Sequence, residues 1–88
     1  MDSAEALRVV RGLARANRFR LTAHAEREAA ECGARPEDIR CALDHAKGVV
    51  ESGPGRASDW TVAGPDLDGE ELEIPLIIED GLQIITLY

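Results

Sequence analysis

His24 is the side chain whose type and position best suit it to chemistry. Thr22, two residues ahead, is a good N-cap, so His24 is expected at the second position of a helix, where unpaired amides and the helix dipole disfavour a charged imidazole. A neutral ring there can act as a general base. Arg27 follows three residues later and Glu31 seven, which places all three on about one helical face. A His/Arg pair of this kind could take a proton from a ribose 2′-hydroxyl while stabilising phosphate charge, the chemistry of a metal-independent ribonuclease. The plainer expectation stands beside it: a histidine next to a helix start is usually a tolerated or packed polar residue.

Other reactive types have simpler readings. His45, near the end of a third helix, would interact favourably with the negative pole. Asp66, Asp68, Glu70 and Glu71 crowd one turn, but the run is too short for a twelve-residue calcium loop. Cys32 and Cys41 are too few and too widely spaced for a zinc motif and read as buried free thiols. Trp60 reads as a core or interface anchor before it reads as a base-stacking platform. No phosphate-cradling glycine loop, nucleophile elbow or paired-carboxylate signature occurs, so neither a cofactor nor a metal is expected.

The elements that must carry these residues are legible from periodicity. Asp2 and Glu5 have the form of a capping box, and Leu7, Val10, Leu13 and Ala14 recur at helical spacing, predicting a helix over about 3–16. Arg8, Arg11 and Arg15 share its other face and Arg18 continues beyond it. This is either a basic stripe for phosphate, with Arg11 and Arg15 central, or a solvated face paired with the protein's own acids. Phe19–Leu21 reads as a short extended link. Residues 23–32 form a second helix ending at Gly33, and Pro36 opens a third with Glu37 and Asp38 near its positive end. Ile39, Ala42, Leu43 and Ala46 form its buried stripe, and Gly48 is expected to stop it.

The second half reads as a meander around Asp68-Gly69 and Asp80-Gly81. Val49–Glu51, Trp60–Val62, Leu72–Ile78 and Leu82–Tyr88 are the predicted strands. The sharpest signal is the alternation of Leu72, Ile74, Leu76 and Ile78 with Glu71, Glu73 and Glu79. Pro75 interrupts it, because proline removes a ladder hydrogen bond, and a bulge or unpaired edge is expected there.

With 88 residues the chain suits one domain, 1–88, with a modest core built from Ala, Val, Leu and Ile. It has no apolar run of membrane-spanning length and no signal-like amino terminus, so a cytoplasmic location and no membrane partner are expected. The net charge of −7 is unevenly spread: residues 49–88 hold Arg56 alone against nine acids, whereas residues 1–48 are nearly neutral. That balance counts against tight RNA or DNA binding outside a local basic stripe. Free sheet edges and a thin core make a homodimer or a partner-covered strand the expectation.

His24-Ala25-Glu26-Arg27, Gly33, Pro36-Glu37-Asp38-Ile39 with Ala42-Leu43, Gly64, Asp68-Gly69, Leu72 and Ile84-Ile85-Thr86-Leu87-Tyr88 together resemble a widespread family of small uncharacterised bacterial proteins. The likeness covers about residues 20–88, and that family is similar to toxins of the RelE/ParE and MqsR type. The resemblance implies an α+β fold, with N-terminal helices packed on a three- or four-stranded antiparallel sheet. It implies a cytoplasmic toxin of a toxin–antitoxin pair, acting as a metal-independent mRNA endoribonuclease and bound by an antitoxin. His24 matches the family's histidine and would be the base; Arg27 and Arg56 would hold phosphate. Thr86 and Tyr88 match the closing motif, where the Tyr88 phenol could contribute a proton or a phosphate contact. Relatives place arginines four and eight residues after the histidine, where this chain has Glu28 and Cys32. The alternative is a non-catalytic, acidic interaction or regulatory module of the same fold.

Overall fold

The computed structural model of the protein describes all of residues 1–88. Three helices precede most of the sheet: α1 (Ser3–Arg15), α2 (Ala23–Cys32) and α3 (Pro36–Asp44). Five strands follow the order β1 (Phe19–Leu21), β2 (Gly48–Glu51), β3 (Trp60–Pro65), β4 (Glu71–Ile78) and β5 (Leu82–Ile84) along the chain. In space they lie β1-β5-β4-β3-β2.

The sheet is therefore five-stranded and mixed, which corrects the expected three- or four-stranded antiparallel one. The cause is Phe19–Leu21, a strand and not a link, which pairs parallel to β5 with Leu21 beside Ile84. The Leu82 amide donates to the Arg18 carbonyl at 2.9 Å and the Thr22 amide to the Ile84 carbonyl at 3.0 Å, capturing both ends of the segment. Three residues are too few to show a two-residue period of their own.

The helices start where the capping residues predict. The Asp2 carboxylate accepts from the Glu5 amide at 2.8 Å, and the Thr22 hydroxyl accepts from the Ala25 amide at 3.2 Å. Gly33 closes α2 with φ +75, a left-handed conformation that suits glycine. Helix α3 ends at Asp44 and not at Gly48: His45 is its C-cap, its amide returning to the Cys41 carbonyl, and Gly48 opens β2. Asp38, buried at the start of α3, accepts from the Arg35 amide at 3.0 Å and from the Leu67 amide at 3.1 Å. One carboxylate thus ties α3 to the β3–β4 turn.

The core lies between the helices and one face of the sheet. Ala6, Val10 and Ala14 of α1 meet Ile39, Ala42 and Leu43 of α3 over Val62, Ile74, Leu76, Leu82 and Ile84. Each fully buried residue of Val or Leu size contributes about 1.5–3 kcal/mol, while the alanines mainly permit close approach. Gly64 is the closest such approach: a Cβ there would collide with the Ala42 carbonyl of α3. Trp60 is a core residue, 8% exposed. Both cysteines are free, but Cys32 is exposed and Cys41 only half-buried, because the buried hydrophobic positions are Ala25 and Ala29 on α2 and Ile39, Ala42 and Leu43 on α3.

The last predicted strand is regular only over Leu82–Ile84. Ile85 still donates to the Pro75 carbonyl at 2.9 Å, but Tyr88, not Leu87, exchanges two main-chain hydrogen bonds with Glu73. Ile74 therefore faces both Thr86 and Leu87, a bulge in the C-terminal segment that begins one residue past the pair of Ile85 with Pro75, the proline that withholds its donor.

Candidate functional site

Glu28 is the hub around His24. It lies one turn further along α2, and its Oε1 is 3.2 Å from His24 Nε2. The same oxygen accepts from the Thr86 hydroxyl and, at 3.0 Å, from the Leu87 amide. An i,i+4 pair on α2 is thereby fastened to the C-terminal segment. The Glu28 carboxyl sits below its ordinary value, held there first by the Thr86 hydroxyl and next by the Leu87 amide. Burial opposes the shift, and the His24 charge adds to it. Chemically, a fixed carboxylate that engages one ring nitrogen orients the imidazole and leaves Nδ1 as the other proton site.

The sequence alone marks Glu28 only as a lost arginine; in the fold it is the residue that positions His24. Its signal was available in the four-residue spacing from His24, whereas the Thr86 contact spans 58 residues and needs the sheet.

His24 is exposed, and Arg27 beside it is exposed and forms no ion pair or side-chain hydrogen bond. No arginine joins the His24–Glu28 pair. Arg56 lies in the loop between β2 and β3, at the opposite edge of the sheet from β1 and α2. Four strand spacings, roughly 19 Å, separate those edges. Thr86 is part of the cluster through Glu28. Tyr88, 60% exposed, pairs with Glu73 and so lies on the sheet face turned away from the core.

Of the two expectations for Arg11 and Arg15, a phosphate stripe or a face paired with the protein's own groups, helix packing accords with the second. Arg11 donates to the Ala46 carbonyl at 2.6 Å with its Nε buried, and Arg15 pairs with Asp44 at 2.5 Å. Arg40 of α3 answers by donating to the Ala14 and Arg15 carbonyls. Asp44 is lowered below its ordinary value chiefly by the hydrogen bond from Arg15. These cations join α1 to α3, so no basic stripe converges on His24.

A second surface is more extensive. Strand residues in the core all come from the helix-facing side. The register places the opposite residues in cross-strand rows: Val50, Thr61 and Pro75, then Gly48, Ala63 and Glu73, with Ile77 beside Gln83. Ile85 and Tyr88 extend the first two rows through their bonds to Pro75 and Glu73. Pro75 is enclosed by its neighbours, Thr61, Ala63, Ile77 and Ile85 are half-buried, and Val50 is 62% exposed. Exposed Glu71 and Glu73 border this apolar field, and Arg20 is its one cation.

No group of three or more His, Cys, Asp or Glu side chains is arranged to hold a metal ion, and no helix is long and apolar enough to cross a membrane. Comparison with protein-family models, with curated proteins and with solved structures gives no match.

Proposed function

We propose that the protein is a non-catalytic interaction module of RelE/ParE-like α+β form, whose sheet receives a basic partner protein. An antitoxin or regulator of the kind implied by the family resemblance would fill that role. The observation that carries this reading is the sheet face away from the helices, an apolar field centred on Val50, Thr61 and Ile85 and edged by Glu71 and Glu73. Apolar area supplies affinity in such surfaces, and the carboxylates select and steer a cationic partner. The test is calorimetric titration with a Lys/Val peptide at low and high salt. Salt-sensitive binding that Glu71→Gln/Glu73→Gln weakens supports the reading; absence of binding at low salt contradicts it.

A second reading, a metal-independent mRNA endoribonuclease, is favoured by one specific observation: the exposed His24 imidazole beside the fixed Glu28 carboxylate. In that case His24 would take the ribose proton, Arg27 would meet phosphate and Glu28 would hold the ring. Purified protein incubated with structured mRNA in chelator tests it. Cutting that disappears with His24→Ala favours the nuclease; intact RNA leaves the module reading alone.

A further inference from the structure

The two edges of the sheet differ in a way that bears on how a partner would bind. On the β1 side, Arg20 is the middle residue of the three-residue strand, Arg18, paired with Asp80 at 3.3 Å, precedes it, and α2 begins directly after Thr22. Cations on that edge disfavour a basic segment. On the β2 side the strand contains no proline, and Val50 is the most exposed large hydrophobic residue of any strand. Natural edges are usually blunted by such devices as proline, bulges or inward charge; β2 has one of these, Glu51 on the helix-facing side opposite Trp60, which leaves the edge open chiefly to a strand that sets a cation against it.

The hydrogen-bond alternation shows which groups β2 leaves open. The Ser52 amide donates to the Asp59 carbonyl at 2.9 Å, and Val50 opposite Thr61 follows the same direction toward β3. Val49 and Glu51, each offset by one, therefore turn their N–H and C=O away from the sheet. No hydrogen bond outside the ladder reaches either residue.

We infer that the basic partner enters as an extended segment that pairs with β2, making a sixth strand with an apolar residue opposite Val50 and a Lys or Arg opposite Glu51. This inference rests on the interaction-module reading and adds the mode of binding. Main-chain pairing would supply affinity, and side-chain positions would supply selectivity. Charge decides the occupant. A second copy would bring another −7 to an edge that carries Lys47 and Glu51 and joins a sheet half whose nine acids face Arg56 alone, whereas a cationic segment neutralises the excess.

The experiment is amide hydrogen exchange on the ¹⁵N-labelled full chain with the blocked peptide Lys-Val-Lys-Val-Lys-Val-Lys. The Val49 and Glu51 amides exchange freely in the unbound protein and slow by about tenfold or more when the peptide saturates. Glu51→Pro removes a donor that faces solvent, so it leaves the β2–β3 ladder intact and weakens the peptide by about tenfold. Glu51→Gln, which keeps that donor, loses less. Should Glu51→Pro fail to fold, exchange in the unaltered protein decides alone. Binding that leaves Val49 and Glu51 exchange unchanged overturns strand addition while the basic-partner reading survives. Absence of any binding at low salt overturns both. Concentration-dependent protection of the same amides without peptide overturns the inference in favour of a second copy.

Discussion

The Thr22 hydroxyl donates to the Ile85 carbonyl at 3.0 Å, filling the place of the donor that Pro75 lacks. Ile85 donates to the Pro75 carbonyl, but proline has no N–H to return, so the Ile85 carbonyl turns to the residue that also caps α2. A single hydroxyl joins the start of the helix that bears His24 to the bulged strand that bears Thr86. The proline that looks misplaced in a central strand is matched by a threonine 53 positions earlier in the chain.

Thr22→Ala is accordingly expected to destabilise the fold by about 1–2 kcal/mol, combining a lost cap with an unsatisfied carbonyl. Pro75→Ala in the Thr22→Ala background should recover part of the loss by restoring the ladder donor. Urea unfolding of the four members of the cycle measures the coupling. Strict additivity would contradict the compensation.

Gly64→Ala should cost about 1–3 kcal/mol or more, because its new Cβ meets the Ala42 carbonyl and α3 must lift from β3. Gly12→Ala is the control: no atom lies within 4 Å of its added Cβ, and alanine in a helix gains about 0.5–1 kcal/mol. The two denaturation midpoints should move in opposite directions.

Acid should loosen the domain in a defined sense. Glu28, Asp38 and Asp44 all have carboxyl pKa values below their ordinary ones, through hydrogen bonds from Thr86 and Leu87, from Arg35 and Leu67, and from Arg15. Their contribution is fully present above the unfolded carboxyl pKa, about 4, and is lost as pH falls through the lower folded values. Stability measured from pH 7 to pH 3 should therefore decline, and Glu28→Gln should flatten the decline. An unchanged slope in that variant would show that the Glu28 clasp does not contribute.

The helices and most strand positions were legible because caps, glycine stops and alternation are local signals. Asp2, Thr22, Gly33 and Pro36 mark helix ends correctly, and the Leu72–Ile78 alternation fixes the inner face of β4. What depended on distant partners was not legible. Phe19–Leu21 becomes a strand only because β5 arrives beside it, and the stripe of Arg11 and Arg15 is undecided between phosphate and the protein's own groups until Asp44 of α3 and Ala46 just beyond it supply the partners. The importance of Glu28 was hidden for the same reason, its hydroxyl and amide partners lying at the far end of the chain.

The clasp makes a separate prediction about order. Glu28→Gln or Thr86→Val should speed exchange of the Leu87 amide while leaving Val62 and Ile74 in the central strands protected. Loss of protection throughout the sheet would instead mean that the C-terminal segment and the core unfold as one unit.

The most direct test of the central claim is an NMR titration of the labelled protein with the Lys/Val peptide at low salt. The expected shifts centre on Val49, Val50, Glu51 and Thr61, fade across Glu73 toward Ile85 and Tyr88, and leave His24 and Arg27 at rest. Shifts centred on His24 and Arg27, or none at all, would contradict a sheet surface built for a basic partner.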